Sequence, residues 1–68
     1  MPYYYVNTNA QSTGEHEVHK SDCSYIPAAE NRKSLGLHDS CSSAITEAKK
    51  HYTKVDGCYY CAKSCHTR

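Results

Sequence analysis

The first third of the chain alternates between strand-forming and turn-forming residues. Residues 3–8 (Tyr-Tyr-Tyr-Val-Asn-Thr) are rich in strand formers, and a polar, turn-like stretch follows them. Residues 15–20 have mixed character, and in a strand Val18 would lie on one face and Glu17 and His19 on the other. The pattern predicts a β-hairpin of residues 3–8 with 15–20.

The rest of the chain shows helical patterns. Residues 28–33 are compatible with one or two helical turns, and a clearer helix is predicted at about 40–52. The narrow apolar face of that second helix consists of Cys41, Ala44, Ile45, Ala48 and Tyr52. Asp56-Gly57 predicts a turn, and the tail after residue 61 is again helix-compatible. We therefore expect a small α+β fold, an N-terminal β-hairpin packed on two or three short helices, as one domain over 1–68.

Composition shows that such a domain needs an additional source of stability. The 68 residues include no Phe and no Trp, and only seven are Val, Ile or Leu. This fraction is low enough to suggest disorder, although the formal net charge is only +1. Chains of this size usually depend on disulfides, a metal or a partner. The five cysteines and five histidines are the candidates for that role.

Several classes of protein are excluded or disfavoured. No apolar run approaches the length of a membrane span, and residues 1–7 do not have the form of a secretory signal. We therefore expect a cytoplasmic protein whose reducing surroundings disfavour disulfides. Five cysteines cannot all pair within one chain, so metal ligation is the first interpretation of these residues. The near-neutral charge gives no strong electrostatic footprint for nucleic acid.

Two short ligand pairs stand far apart in the chain, His19-x3-Cys23 and Cys58-x2-Cys61. A structural zinc site requires four such ligands in a tetrahedron. A short turn that carries two ligands, called a knuckle below, can direct both of them at one ion. We expect Gly57 to permit the tight backbone of the second knuckle. The four residues are predicted to hold one structural Zn2+ that joins the hairpin to the last turn.

Other ligand sets are compatible with the spacing. His16 competes with His19, because only one of them can serve. Cys65 and His66 can replace the N-terminal pair, which gives a compact site within residues 58–66. Such a site would not link the rest of the chain to the metal. Cys41 lies on the apolar helix face, so we expect a small buried hydrophobe rather than a ligand.

The order of these motifs resembles the Ada-like metal-binding domain, the zinc-bearing N-terminal module of a bacterial DNA-repair protein. The resemblance covers about residues 15–62, with His19 and Cys23 in the first knuckle and Cys58 and Cys61 in the second. It implies a structural zinc. The methyl-accepting cysteine of the family is replaced by His19, so the resemblance does not imply methyl transfer. Few basic residues surround the second knuckle, so it does not imply DNA binding either.

The predicted function is a small zinc-stabilised binding module without catalysis, which contacts a protein or a nucleic acid and does not involve a membrane. Its candidate surface consists of Tyr3, Tyr4, Tyr5, Tyr59 and Tyr60. In a chain without Phe or Trp, at least half of the tyrosines are also expected in the core. The module is expected to be a monomer or a weak homodimer.

The alternative is a protein of thiol chemistry, an alkyl acceptor or a redox sensor. It would use a zinc thiolate or a free Cys65. The pKa of the Cys65 thiol would be lowered by the nearby Lys63 and His66. No paired carboxylates, glycine-rich loop or Ser/His/Asp set supports other catalysis. A closed four-ligand site also leaves no position for water.

Overall fold

A computed structural model describes residues 2–67 as one mixed sheet with a single α-helix and two 3-10 turns. In chain order the elements are β1 (Tyr3–Asn7), β2 (His16–Lys20), a 3-10 turn (Ala29–Asn31), β3 (Arg32–Leu37), α1 (Cys41–Ala48), β4 (Val55–Gly57) and a second 3-10 turn (Lys63–Cys65). The strand order is β3-β1-β2-β4. Strand β2, which carries His19, is therefore an inner strand.

The predicted hairpin is present at the centre of this sheet. Strands β1 and β2 pair antiparallel, with Val6 opposite Val18 and Tyr5 opposite His19. Strand β3 pairs antiparallel with the other edge of β1, and β4 pairs parallel with β2. The parallel pair places Gly57 beside Val18, so the strand that leads into Cys58 runs alongside the strand that carries His19.

The prediction of a hairpin packed on two or three helices is wrong. Residues 32–37, which follow the short turn at Ala29–Asn31, form a strand, because β1 offers them a free edge and Leu35 can enter the core. The second predicted helix is present but ends at Ala48 rather than near residue 52. Asp56-Gly57, predicted as a turn, lies in β4. Local propensity was outweighed here by pairing with distant strands.

Helix α1 covers one face of the sheet and forms a small core with it. Its buried residues are Cys41, Ala44 and Ala48, and they belong to one buried cluster with Tyr4, Val6, Val18 and Leu35. Of the seven tyrosines only Tyr4 is buried, so the prediction that half would be core is wrong. Alanines on α1 let the helix lie close to the sheet, which leaves little room for large rings.

A disulfide joins Cys41, at the start of α1, to Cys65 in the second 3-10 turn. Cys41 is buried as expected, but it is bonded rather than a plain hydrophobe, and the bond removes the free Cys65 thiol that the alternative hypothesis of thiol chemistry used. Disulfides were disfavoured because of the expected reducing compartment and the odd number of cysteines, and the sequence had no local signal for this pairing across 24 positions. The bond ties the tail of the chain to the helix.

The tail crosses the β4 edge of the sheet at Gly57. A β-carbon at this position would lie 2.8 Å from the Cys65 Cβ and from the Ala62 carbonyl oxygen. Gly57 does not have a positive φ, so it provides space for the tail rather than the unusual backbone conformation we expected. Among residues 2–67, no helix is long and apolar enough to cross a bilayer.

Candidate metal centre

The first knuckle is the end of β2 and the turn that follows it. His19 is the penultimate residue of β2, and its side chain points away from the face that α1 covers, because side chains alternate along a strand. The Cys23 N–H donates to the Lys20 carbonyl, and the Ile26 N–H donates to the Cys23 carbonyl. These turns bring Cys23 back toward the strand end, where it is buried.

The second knuckle begins where β4 ends. The Cys58 N–H donates to the Val18 carbonyl over 2.9 Å, which fixes the knuckle to β2. The Ala62 N–H then donates to the Cys58 carbonyl, and this turn brings Cys61 onto the same side as Cys58. The first knuckle follows β2 and the second follows β4, and the Cys58–Val18 hydrogen bond holds both against β2, although they are far apart in the sequence.

The structure brings the four predicted ligands together. One ligand atom from each of His19, Cys23, Cys58 and Cys61 can be chosen so that all lie within 4.8 Å of one another. The Sγ atoms of Cys23 and Cys58 are 3.8 Å apart. Tetrahedral geometry with Zn–S bonds of about 2.3 Å requires a separation of about 3.8 Å. The cluster can hold one metal ion, and these three cysteines are free thiols.

Backbone N–H groups point at two of the sulfurs. The Lys20 N–H donates to Cys61 Sγ over 3.3 Å, and the Tyr25 N–H donates to Cys23 Sγ over 3.4 Å. Burial and the neighbouring Cys23 and Cys58 thiols raise the pKa of the Cys61 thiol to about 12, against the lowering effect of the Lys20 N–H. Protein groups alone therefore keep Cys61 protonated at neutral pH, and a cation at the centre would favour the thiolate.

The His19 imidazole is almost completely buried, with 1% of the residue exposed. Burial lowers its pKa, so the ring is neutral at neutral pH, which is the form that binds metals. Its Nδ1 atom lies 4.0 Å from Cys61 Sγ and faces the thiols. Its Nε2 atom points the other way and has no hydrogen-bond partner among the described residues, while Glu17 Oε1 lies 3.5 Å from it.

The competing residues lie elsewhere. His16 donates from Nδ1 to the Asn7 carbonyl and stacks on Tyr52, on the face of β2 opposite to His19. His66 donates from Nδ1 to the Gly57 carbonyl, and Cys65 is in the disulfide. The compact alternative within residues 58–66 is therefore not assembled in this structure.

A tyrosine surface lies beside the cluster. The rings of Tyr25 and Tyr60 stack at 4.1 Å, and Tyr59 meets Tyr60 edge to face. All three are exposed, at 59%, 64% and 49%. The sequence singled out Tyr59 and Tyr60 but missed Tyr25, whose position two residues after Cys23 was the available signal. Of the other predicted contact residues, Tyr4 is in the core, Tyr3 is exposed on β1, and Tyr5 is half-buried on β1 under Arg32.

The tyrosine surface borders a shallow pocket of about 320 Å³ that reaches the cluster. Its lining residues are Lys20, Asp22, Cys23, Ser24, Tyr25, Tyr60 and Cys61. Next to it, the Lys63 ammonium lies 5.4 Å from the Tyr59 ring centroid. Exposed rings, the lining residue Lys20 and the Lys63 ammonium therefore lie close together beside the cluster.

Comparison of the chain with protein-family models, curated proteins and solved structures gave no match. The resemblance to the Ada-like metal-binding domain accordingly stays a prediction. Function has to be argued from the geometry of the cluster and of the surface beside it.

Proposed function

We propose that this chain is a small binding module folded around one structural Zn2+. The observation that carries the proposal is the convergence of His19, Cys23, Cys58 and Cys61 within 4.8 Å. Three sulfurs and one imidazole nitrogen form a donor set suited to Zn2+, whereas Mg2+ and Ca2+ prefer oxygen ligands. The buried, neutral His19 and the N–H groups directed at Cys23 and Cys61 support this assignment.

The proposed role of the ion is to stabilise the fold. Four protein ligands complete a tetrahedron and leave no open position for water or substrate, so we propose no metal-dependent catalysis. The core is small and contains three alanines, and only one disulfide ties the described chain. A zinc ion would join the end of β2 to the second knuckle and supply the free energy that the core lacks.

The contact surface of the module is proposed to be the tyrosine surface of Tyr25, Tyr59 and Tyr60. Tyr25, Tyr59 and Tyr60 are large exposed rings that contact one another beside the Cys/His cluster. Lys20 and Lys63 flank them, and Asp22 is the acidic residue in the pocket lining. Rings that can stack on bases, beside ammonium groups that can contact phosphates, favour single-stranded nucleic acid as the partner.

Binding of short single-stranded DNA and RNA, followed by fluorescence anisotropy at two salt concentrations, tests this surface. We expect Tyr60→Ala to weaken binding about 5- to 150-fold, because stacking contributes about 1–3 kcal/mol per base. Tyr3→Ala is the matched control, since Tyr3 is a comparably exposed tyrosine on β1. Binding without salt dependence, or equal losses in both variants, would contradict a nucleic-acid partner and leave a protein partner as the alternative.

Thiol chemistry at Cys61 is the second candidate. The observation in its favour is that Cys61 is only partly buried and lines the open pocket beside the cluster. The version that uses Cys65 does not apply while Cys65 is in the disulfide. Treatment of the zinc-bound protein with an alkylating reagent tests it. Rapid modification of one thiol with retention of zinc supports this candidate, and uniformly slow modification rejects it.

A further inference from the structure

The two nitrogens of the His19 ring have different surroundings. Nδ1 faces the sulfur of Cys61, at 4.0 Å. Nε2 is buried and makes no hydrogen bond to any described residue. Leaving a buried N–H without a partner destabilises the folded state, so an unpartnered nitrogen on a proposed metal ligand requires an explanation.

Glu17 supplies a carboxylate at the right place. It lies two residues before His19 on β2, so the two side chains share one face of the strand. Its Oε1 atom is 3.5 Å from Nε2, slightly longer than the 2.7–2.9 Å or so of a charge-assisted hydrogen bond. The hydrogen bond requires Oε1 to approach Nε2 by about 0.6 Å, and the Glu17 side chain is 23% exposed rather than locked in the core.

We propose that Glu17 positions His19 for metal binding, an inference that rests on the proposed zinc site. Its carboxylate accepts a hydrogen bond from Nε2–H, which selects the tautomer whose Nδ1 lone pair points at the centre of the cluster. Carboxylates in this relation to a ligating imidazole fix its orientation and raise its basicity as a ligand. Glu17 does not contact the metal in this arrangement.

The first measurement is zinc affinity by competition with a chromophoric chelator. Glu17→Leu removes the acceptor, and we expect zinc to bind about 10–100-fold more weakly. Glu17→Gln keeps an acceptor oxygen and should lose less. Glu30→Leu is the matched control, because Glu30 is an exposed carboxylate in the first 3-10 turn, and it should bind zinc like the wild type. Wild-type affinity in Glu17→Leu would overturn the proposal.

The same substitution in a His19→Cys variant separates the positioning of His19 by Glu17 from a general structural effect of Glu17. In His19→Cys the fourth ligand is a thiolate that needs no Nε2 partner. Adding Glu17→Leu to this variant should change zinc affinity by less than about threefold, the scatter expected for uncoupled sites. An equal loss in the wild-type and His19→Cys backgrounds would show that Glu17 merely supports the strand and would refute the positioning role.

Nitrogen NMR of the His19 ring in the zinc-bound protein gives a readout independent of affinity. We expect metal-bound Nδ1 and protonated Nε2 in the wild type, and metal-bound Nε2 would refute the proposal. If the wild-type chain binds no zinc, the proposed function itself fails. If zinc binds normally but Glu17→Leu is silent in both measurements, only the role of Glu17 is lost.

Discussion

The sulfurs of Cys23 and Cys58 lie 3.8 Å apart, although the two residues are separated by 35 positions in the sequence. Strand β2 brings them together, because the Cys23 turn is bonded to the Lys20 carbonyl and the Cys58 N–H to the Val18 carbonyl. The sheet thus places both knuckles at one strand end. A metal ion in the cluster would in turn hold the sheet and its tail together.

Removal of zinc is expected to unfold the chain. A structural zinc in a small metal-folded peptide contributes about 10–16 kcal/mol, as much as the whole stability of a typical domain. We expect native mass spectrometry to show one zinc per chain, and a chelator to collapse the dispersed amide NMR spectrum. A metal-free protein that keeps its dispersion would refute a structural role for the ion.

Loss of one ligand should abolish tight zinc binding. In Cys58→Ser a buried sulfur ligand becomes a hydroxyl, which is a poor zinc ligand at neutral pH. The control is Cys41→Ala with Cys65→Ala, which removes two cysteines outside the cluster. We expect the control to retain one zinc and Cys58→Ser to lose it. Equal zinc content in the two proteins would contradict the ligand assignment.

Loss of the Cys41–Cys65 disulfide should lower stability without emptying the metal site. A cross-link across 24 positions restricts the unfolded chain by about 3 kcal/mol in the chain-entropy model. The double alanine variant is therefore expected to lose about 2–4 kcal/mol in the free energy of unfolding, measured by denaturant titration in the presence of zinc. A change below about 1 kcal/mol would mean that the bond contributes little.

Gly57→Ala is expected to be strongly destabilising. The added methyl group would lie 2.8 Å from the Ala62 carbonyl oxygen and the Cys65 Cβ, in a segment held by the disulfide, so the cost should reach about 3 kcal/mol. Gly36→Ala is the comparison. Its added methyl group would meet no atom within 4 Å, and only the φ of 86° is unfavourable for alanine. We expect this strain to lower stability by about 1–2 kcal/mol. A smaller effect at Gly57 than at Gly36 in thermal unfolding would contradict this packing.

Zinc affinity is expected to fall as pH falls. Burial, as the largest cause, raises the pKa of Cys61 to about 12 in the folded arrangement. In an unfolded metal-free chain the ordinary thiol pKa of about 8.5 likewise keeps the proton on the sulfur below pH 8. Zinc must displace that proton, and protons compete better at lower pH. Because His19 has a lowered pKa, it contributes few of the protons released. Chelator competition should show more than about tenfold weaker binding per pH unit below pH 8, and a flat profile would contradict thiol ligation.

The sequence by itself determined the local features of this protein. Two knuckle spacings predicted His19, Cys23, Cys58 and Cys61 as one set, with His16 and the Cys65–His66 pair left as alternatives. Strand formers on both sides of a polar stretch predicted the β1–β2 hairpin. Both signals work because they depend on neighbours a few positions apart. The shortage of aliphatic residues also indicated that an ordinary core would be too small.

Only the tertiary structure decided the rest. Strand β3 forms because β1 has a free edge. Cys41 meets Cys65 because the tail passes over Gly57. The Tyr25–Tyr60 stack exists because the two knuckles meet. The tertiary structure also places His19 rather than His16 at the cluster, because one face of β2 is turned toward the thiols and the other toward Tyr52. Each of these outcomes depends on contacts between segments distant in the chain, and no local pattern encodes them.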